Sequence, residues 1–197
     1  MDIKVHRGLE QIGGCITEIS TATSRVFIDF GQNLPGNGEA TTPEQDRLMV
    51  ENIFATNAKK HEAVFYTHGH EDHVGLFEYI PPYVPQYMSD GTKELLLIKY
   101  RTLKEGVELS LAQLQNDANS IKEQIEEENF KKSNAENKIK IIARMNSWGR
   151  TSPGKKPSPI FIGDITITPF FNCHSIYDSH RSEEHTSELQ SRVDISY

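Results

Sequence analysis

The stretch Thr67-His68-Gly69-His70-Glu71-Asp72-His73 places three imidazoles and the Asp72 carboxylate within six residues, directly after the apolar run Ala63-Val64-Phe65-Tyr66. That run reads as a buried strand, so the polar residues fall where a sheet hands over to a loop. In extended backbone side chains repeat every second residue. His68 and His70 therefore point the same way and can grip one cation, whereas a helix would splay them apart. Asp72 and His73 sit where the chain must turn before Val74-Gly75-Leu76-Phe77-Glu78-Tyr79-Ile80. They can approach from another side and serve a second ion. Borderline cations such as Zn²⁺ favour this mixture of imidazole and carboxylate ligands. The plain alternative is a polar loop that happens to be rich in histidine. Against it, only eight histidines occur in 197 residues, and three of them crowd here in the order H-x-H-x-D-H.

Upstream of this stretch, residues 1 to 31 read as two or three strands joined by tight turns. Ile3 and Val5 alternate with polar residues, Gly13-Gly14 supplies a turn, and Cys15-Ile16-Thr17-Glu18-Ile19 alternates again. Arg25-Val26-Phe27-Ile28 then ends in Asp29-Phe30-Gly31, where Asp29 by itself reads as a turn former bonded to its own backbone. Residues 32 to 43 form a Gly, Asn and Pro-rich loop. Pro43 to Ala58 reads as a helix capped by Thr42, with Leu48, Ile53 and Phe54 as its apolar face.

Downstream, Val74 to Ile80 reads as a short helix ended by Pro81-Pro82, Tyr83 to Tyr87 as a strand and Thr92 to Leu103 as a helix. Residues 105 to 148 change character. Leu111, Leu114, Ala118, Ile121 and Ile125 recur at spacings of three and four, one apolar stripe on an amphipathic helix, which Glu126-Glu127-Glu128-Asn129 interrupts. A second helical stretch runs from Ala135 to Met145. This is a helical insertion, read as an excursion packed on its own domain in preference to a partner-docking or substrate-fencing arm. Gly149 to Pro159 is a loop carrying Arg150, Lys155 and Lys156, more simply solvated than phosphate-binding. Gly163-Asp164 turns a hairpin between Ile160-Phe161-Ile162 and Ile165-Thr166-Ile167-Thr168, and the second strand runs on to His174.

The length suits one domain, or most of one. A net charge of −7 argues against the whole chain being an electrostatic nucleic-acid binder. No apolar run approaches the roughly 20 residues needed to span a bilayer, and the start lacks a signal-peptide core, so no membrane partner and a cytoplasmic location are expected. Cys15 and Cys173 are expected to be reduced core thiols.

THGHEDHVG, residues 67 to 75, resembles the metal-binding signature of the metallo-β-lactamase fold, a large family of mostly di-metal hydrolases. His174-Ser175-Ile176-Tyr177-Asp178-Ser179 is similar to the second metal motif of its ribonuclease J-like members, in which proline commonly stands at Tyr177. The resemblance implies an α+β chain, the N-terminal portion of an αββα sandwich. It assigns His68, His70 and His174 to one metal and Asp72 and His73 to the other, with Asp29 beneath them as support and Ser175 and Asp178 holding their loop. The implied cofactor is two Zn²⁺ ions, with Mn²⁺ as the alternative. Metal coordination brings the pKa of water near neutrality, which would make a hydroxide the nucleophile, and Asp72 is the residue implied to orient it. The implied activity is phosphodiester hydrolysis on RNA. The alternatives are a small-molecule or thioester hydrolase of the same fold, or a non-catalytic metal-binding fragment.

The chain departs from that family at its end. Family members continue into a strand ending in a bridging aspartate and then a further metal histidine. Here His185 is the one histidine after His180, and it has no such context. Residues 181 to 191, RSEEHTSELQS, resemble the conceptual translation of a widely used sequencing-library adapter, and the closing Ile-Ser-Tyr fits the stretch that follows its variable index. The expectation is a domain portion over 1–180, with the insertion at 105–148, and an artefact tail over 181–197. Such a chain would be cut short of a complete enzyme, binding metal weakly and turning over negligibly.

Overall fold

In the computed structural model the described residues are 1–9, 13–34, 41–116, 121–149, 157–171 and 180–186, with Phe171 and residues 180–186 described by backbone alone. They form an α+β protein that divides into two compact units, residues 1–92 with 146–197, and residues 93–145.

The first unit is built on a six-stranded mixed sheet. Its strands are β1 (Asp2–Arg7), β2 (Ile16–Ser20), β3 (Ser24–Ile28), β4 (His61–Phe65), β5 (Gln86–Ser89) and β6 (Asn146–Trp148), in that spatial order. β1 to β3 are antiparallel neighbours; β3 to β6 run parallel. The parallel strands all end at one edge, so the loops after them gather there, the usual location of chemistry in such sheets. A second, antiparallel sheet comprises β7 (Ile160–Ile162), β8 (Ile165–Phe171) and β9 (His180–Thr186).

Alternation along β3 sorts the layers. Val26 and Ile28 join Ile19, Ala63, Phe65, Trp148, Ile162, Ile165 and Ile167 in one buried cluster between the two sheets. On the opposite face Phe27 packs with Phe30 (5.2 Å between ring centroids) and with Phe54 (5.0 Å) of helix α1, Pro43–Ala55. Thr42 caps the helix start, as the sequence predicts, and the Gln45 side chain closes the cap reciprocally. The buried apolar face is Val50, Ile53 and Phe54, whereas Leu48 is half-exposed. Arg25, fully buried, fastens the other end of α1. Its guanidinium donates to the Glu62 carboxylate (2.6 Å) and to the carbonyls of Ile53, Phe54 and Thr56. A cation is favoured there because the last carbonyls of a helix lack intrahelical donors.

The Gly163-Asp164 turn joins β7 and β8 as expected, and the Asp164 carboxylate accepts from the Thr21 and Thr23 hydroxyls (2.8 and 3.1 Å). β9 pairs along the length of β8 although its sequence shows no alternating pattern. Main-chain pairing needs none: any extended segment can bond to an open sheet edge.

In the second unit the helical expectation holds with different boundaries. Helix α2 (Glu71–Val74) and the turn after it lie in the first unit, at the site; the paired helices are α3 (Asp90–Asn116) and α4 (Lys122–Arg144). Glu126–Asn129 lie inside α4, which starts at Lys122. Interior helical positions tolerate charged residues that face water, so the glutamates interrupt the apolar stripe without ending the helix. Lys104 pairs with Glu136 (3.2 Å) and Lys132 with Glu108 (2.9 Å) across the two helices, and the Lys93 ammonium donates to the Met145 carbonyl (2.7 Å) where the pair closes.

Candidate metal centre

β4 delivers Thr67 to His70 at the edge where the parallel strands end, and helix α2 (Glu71–Val74) follows at once, with His70 as the residue before its first turn. The helix begins three residues earlier than the sequence suggests. Asp72 and His73 are therefore helical, and a short 3-10 turn, Phe77–Tyr79, takes the rest of the segment.

The backbone after β3 clamps α2. Phe30 N–H donates to the His73 carbonyl (2.8 Å), Gln32 N–H to Glu71 (2.8 Å), and Leu76 N–H back to Phe30 (2.9 Å), while Cys15 N–H donates to Asp72 (3.1 Å). The approach is close enough that a Cβ on Gly31 would stand 1.6 Å from the Asp72 carbonyl oxygen. Only glycine fits that position. The Arg7 guanidinium holds the same strip, donating to the Gly31 and Gly14 carbonyls and pairing with buried Asp46.

Asp29 is the hub. It is buried, with a backbone φ of 62°, a left-handed conformation that few residues other than glycine, asparagine and aspartate adopt. Its carboxylate accepts three hydrogen bonds: from Thr67 N–H (2.7 Å), the Thr67 hydroxyl (2.8 Å) and His73 Nδ1 (2.7 Å). Because the Thr67 proton is given to Asp29, the Thr67 oxygen is left to accept from His68 Nδ1, 2.9 Å away. One carboxylate thus sets both rings to the Nδ1–H form, His73 directly and His68 through Thr67. Orienting a ligand imidazole through its outer nitrogen in this way is how proteins aim the inner one at a cation.

The inner atoms then fall into two pairs. His68 Nε2 faces His70 Nδ1 at 3.0 Å, and His73 Nε2 faces Asp72 Oδ2 at 3.5 Å. The His68 and His73 rings lie 4.0 Å apart between centroids, so the pairs adjoin. Two ring nitrogens facing each other require a proton or a cation between them, since neutral lone pairs repel. Among the described residues no three of these side chains meet as a finished ion-holding group. Each pair is half of a tetrahedral donor set. His174, Ser175 and Asp178, expected to add to it, lie outside the described residues.

The electrostatics of the cluster follow from its burial and its anions. Burial alone disfavours the His73 imidazolium, but the Asp29 hydrogen bond and the charges of Asp29 and Asp72 outweigh it and raise its pKa. The Cys15 thiol is pushed up to about 11 by burial and by the same two carboxylates, so it stands beside them as a neutral thiol. Tyr66 is likewise held protonated by full burial and by Asp29. Sequence reading missed Gly31, Thr67 and Cys15 as parts of the site. The Asp-x-Gly spacing at 29 to 31 was the available signal for Gly31. Elsewhere, a groove of about 420 Å³ in the helical unit is lined by Ser110, Gln113, Leu114, Gln124, Glu127 and Glu128. It gathers no imidazole or thiol.

No protein-family model and no curated protein matches the chain. Among solved structures it is similar to the crystal structure of a protein of unknown function from Enterococcus faecalis V583, with 20% sequence identity and a TM-score of 0.58 over 94% of this chain. The chain spans 41% of that protein's length. At this identity the likeness is one of fold. No helix among the described residues is long and apolar enough to cross a membrane.

Proposed function

We propose that the cluster is the metal site of a metal-dependent hydrolase of the metallo-β-lactamase fold, acting on phosphodiesters of RNA in the manner of the ribonuclease J group. The helix, mixed sheet and antiparallel sheet are the corresponding layers of an αββα sandwich. The observation that carries the proposal is the pairing of inner donor atoms, His68 Nε2 with His70 Nδ1 and His73 Nε2 with Asp72 Oδ2, under outer nitrogens tied to Thr67 and Asp29.

The donor set fits Zn²⁺, or Mn²⁺, as two adjoining sites: His68 and His70, with His174 as the expected third imidazole, and Asp72 with His73. A divalent ion bound there supplies Lewis acidity, lowering the pKa of water and neutralising charge on a phosphoryl oxygen. The rest falls to the chain's own residues. Asp29 keeps the His73 tautomer and, through Thr67, that of His68. Asp72, at the start of α2, offers the carboxylate that orients a nucleophilic water and accepts its proton. The clamp of residues 29 to 32 on α2 fixes where that carboxylate stands.

The test is cleavage of 5′-monophosphorylated RNA by a full-length homologous protein. Metal-dependent cleavage abolished by the counterpart of His70→Ala supports the nuclease. Absent RNA cleavage with good thioester turnover would replace it with the small-molecule alternative.

A further inference from the structure

We propose that two copies of this chain associate through α4, packed antiparallel about a two-fold axis at Ser133. The face of α4 opposite its buried Ala135 and Ile142 presents Glu123, Glu126, Phe130, Ser133, Asn137, Lys140 and Arg144. These recur at alternating spacings of three and four, a continuous seam along the helix. All seven are exposed, Phe130 by 71%.

The seam is self-complementary. Residues 122–130 carry four glutamates and one lysine, and residues 131–144 carry five cations and one glutamate. Turned antiparallel about Ser133, the seam sets Glu123 against Arg144 of a second copy, Glu126 against Lys140, and Phe130 against Asn137, each pairing occurring twice. This is the isologous contact expected of a two-fold dimer. The small Ser133 at the crossing lets the helices approach there, and the antiparallel arrangement also sets their macrodipoles in opposition.

Compensation of the α4 dipole explains acids in the first turn and bases in the last, because that effect fades within one turn. It does not explain Glu126 to Glu128, beyond the first turn, nor Lys131 to Lys140 in the interior. The acidic residues' present partners do not hold the seam closed: the Lys122–Glu126 pair (3.4 Å) is solvent-exposed on both sides and readily exchanged. No side-chain hydrogen bond or ion pair among the described residues engages Lys140 or Arg144. A polyanion such as single-stranded RNA could use the basic half alone, but it would leave the matching acidic half and Phe130 unused.

Sedimentation of the 22.4 kDa chain at low salt tests the seam. The unaltered chain is expected to dimerise at about 100 µM and to dissociate as salt is raised. Lys140→Glu with Arg144→Glu, and separately Glu123→Lys with Glu126→Lys, should each weaken self-association by about tenfold or more, because like charges then meet at every pairing. An equimolar mixture of the two variants should associate again, which a folding defect could not produce. A chain that stays monomeric at several times that concentration, or a mixture that fails to associate, overturns the proposal. So does a monomeric chain whose affinity for single-stranded RNA falls in the Lys140 and Arg144 variant, an outcome that would reassign the basic half to nucleic acid.

Discussion

The two units of this chain use charged residues in opposite ways. At the edge of the mixed sheet, Asp29, His68, His73 and the Thr67 hydroxyl are drawn out of water and held by one another, so each hydrogen bond decides a tautomer or a ring direction. On α3 and α4 most charges stay in water, and a pair such as Lys131 with Glu127 (2.8 Å) can break and reform without consequence for the fold. Burial turns a polar contact into geometry, whereas exposure leaves it as a field. The contrast can be broken or sharpened by substitution on either side.

The largest effect is expected from Gly31→Ala. Its Cβ would meet the Asp72 carbonyl at 1.6 Å, so α2 must move off the strand end. A loss of about 3 kcal/mol in stability by urea titration, together with loss of metal binding, is expected. A variant as stable as the parent would show that α2 is not clamped.

Asp29→Asn comes next. Asparagine tolerates the positive φ, so the backbone survives, but it has one accepting oxygen where three donors converge. Metal affinity, measured by competition with a chromophoric chelator, should fall by about 10- to 100-fold. Unchanged affinity would remove Asp29 from the site.

A smaller effect concerns pH. The Glu18 carboxyl is held below its ordinary 4.5 by the His6 hydrogen bond and the Arg25 charge, against the opposing effect of burial. A folded-state value depressed below the unfolded one contributes stability that is present above about 4.5 and lost as pH falls through the depressed value. Glu18→Gln should flatten the acid limb of a stability-against-pH curve, and an unaltered limb would contradict the coupling. The smallest effect is expected in the helical unit: Lys131→Ala should leave the midpoint of thermal unfolding nearly unmoved, since Lys131 and Glu127 are exposed and Glu128 alone is partly covered.

Much of the site was legible because its ligands are close in sequence. His68, His70, Asp72 and His73 lie within six residues, and the period of extended chain brings the first two together without long-range information. By itself Asp29 was legible as a turn former, and its place beneath the metal site came from the family resemblance alone. Its role depends on a left-handed φ and on β3 lying beside β4, both products of tertiary structure. Thr67 was invisible for a related reason: its hydroxyl matters only once Asp29 takes the proton. β1 to β4 and the β7–β8 hairpin followed from alternation, apolar runs and turn residues; β5 lies at Gln86–Ser89, later than Tyr83 to Tyr87, and β6 falls where the helical insertion was expected to continue. Exact helix limits did not, because Glu71 and Asp72 favour the first turn of a helix electrostatically as readily as they favour a loop. The apolar face of α1 shifted from Leu48 to Val50 because the Phe27, Phe30 and Phe54 cluster sets which side of the helix turns inward.

The central claim is that Asp29, directly and through Thr67, leaves particular ring nitrogens for metal. Long-range proton–nitrogen correlation spectra of the ¹⁵N-labelled chain, recorded as Zn²⁺ is added, read those nitrogens one by one. The expected result is metal-dependent shifts at His68 Nε2, His70 Nδ1 and His73 Nε2, with His68 Nδ1 and His73 Nδ1 remaining protonated. Shifts at the Nδ1 atoms of His68 or His73, or none at any of the three rings, would contradict it.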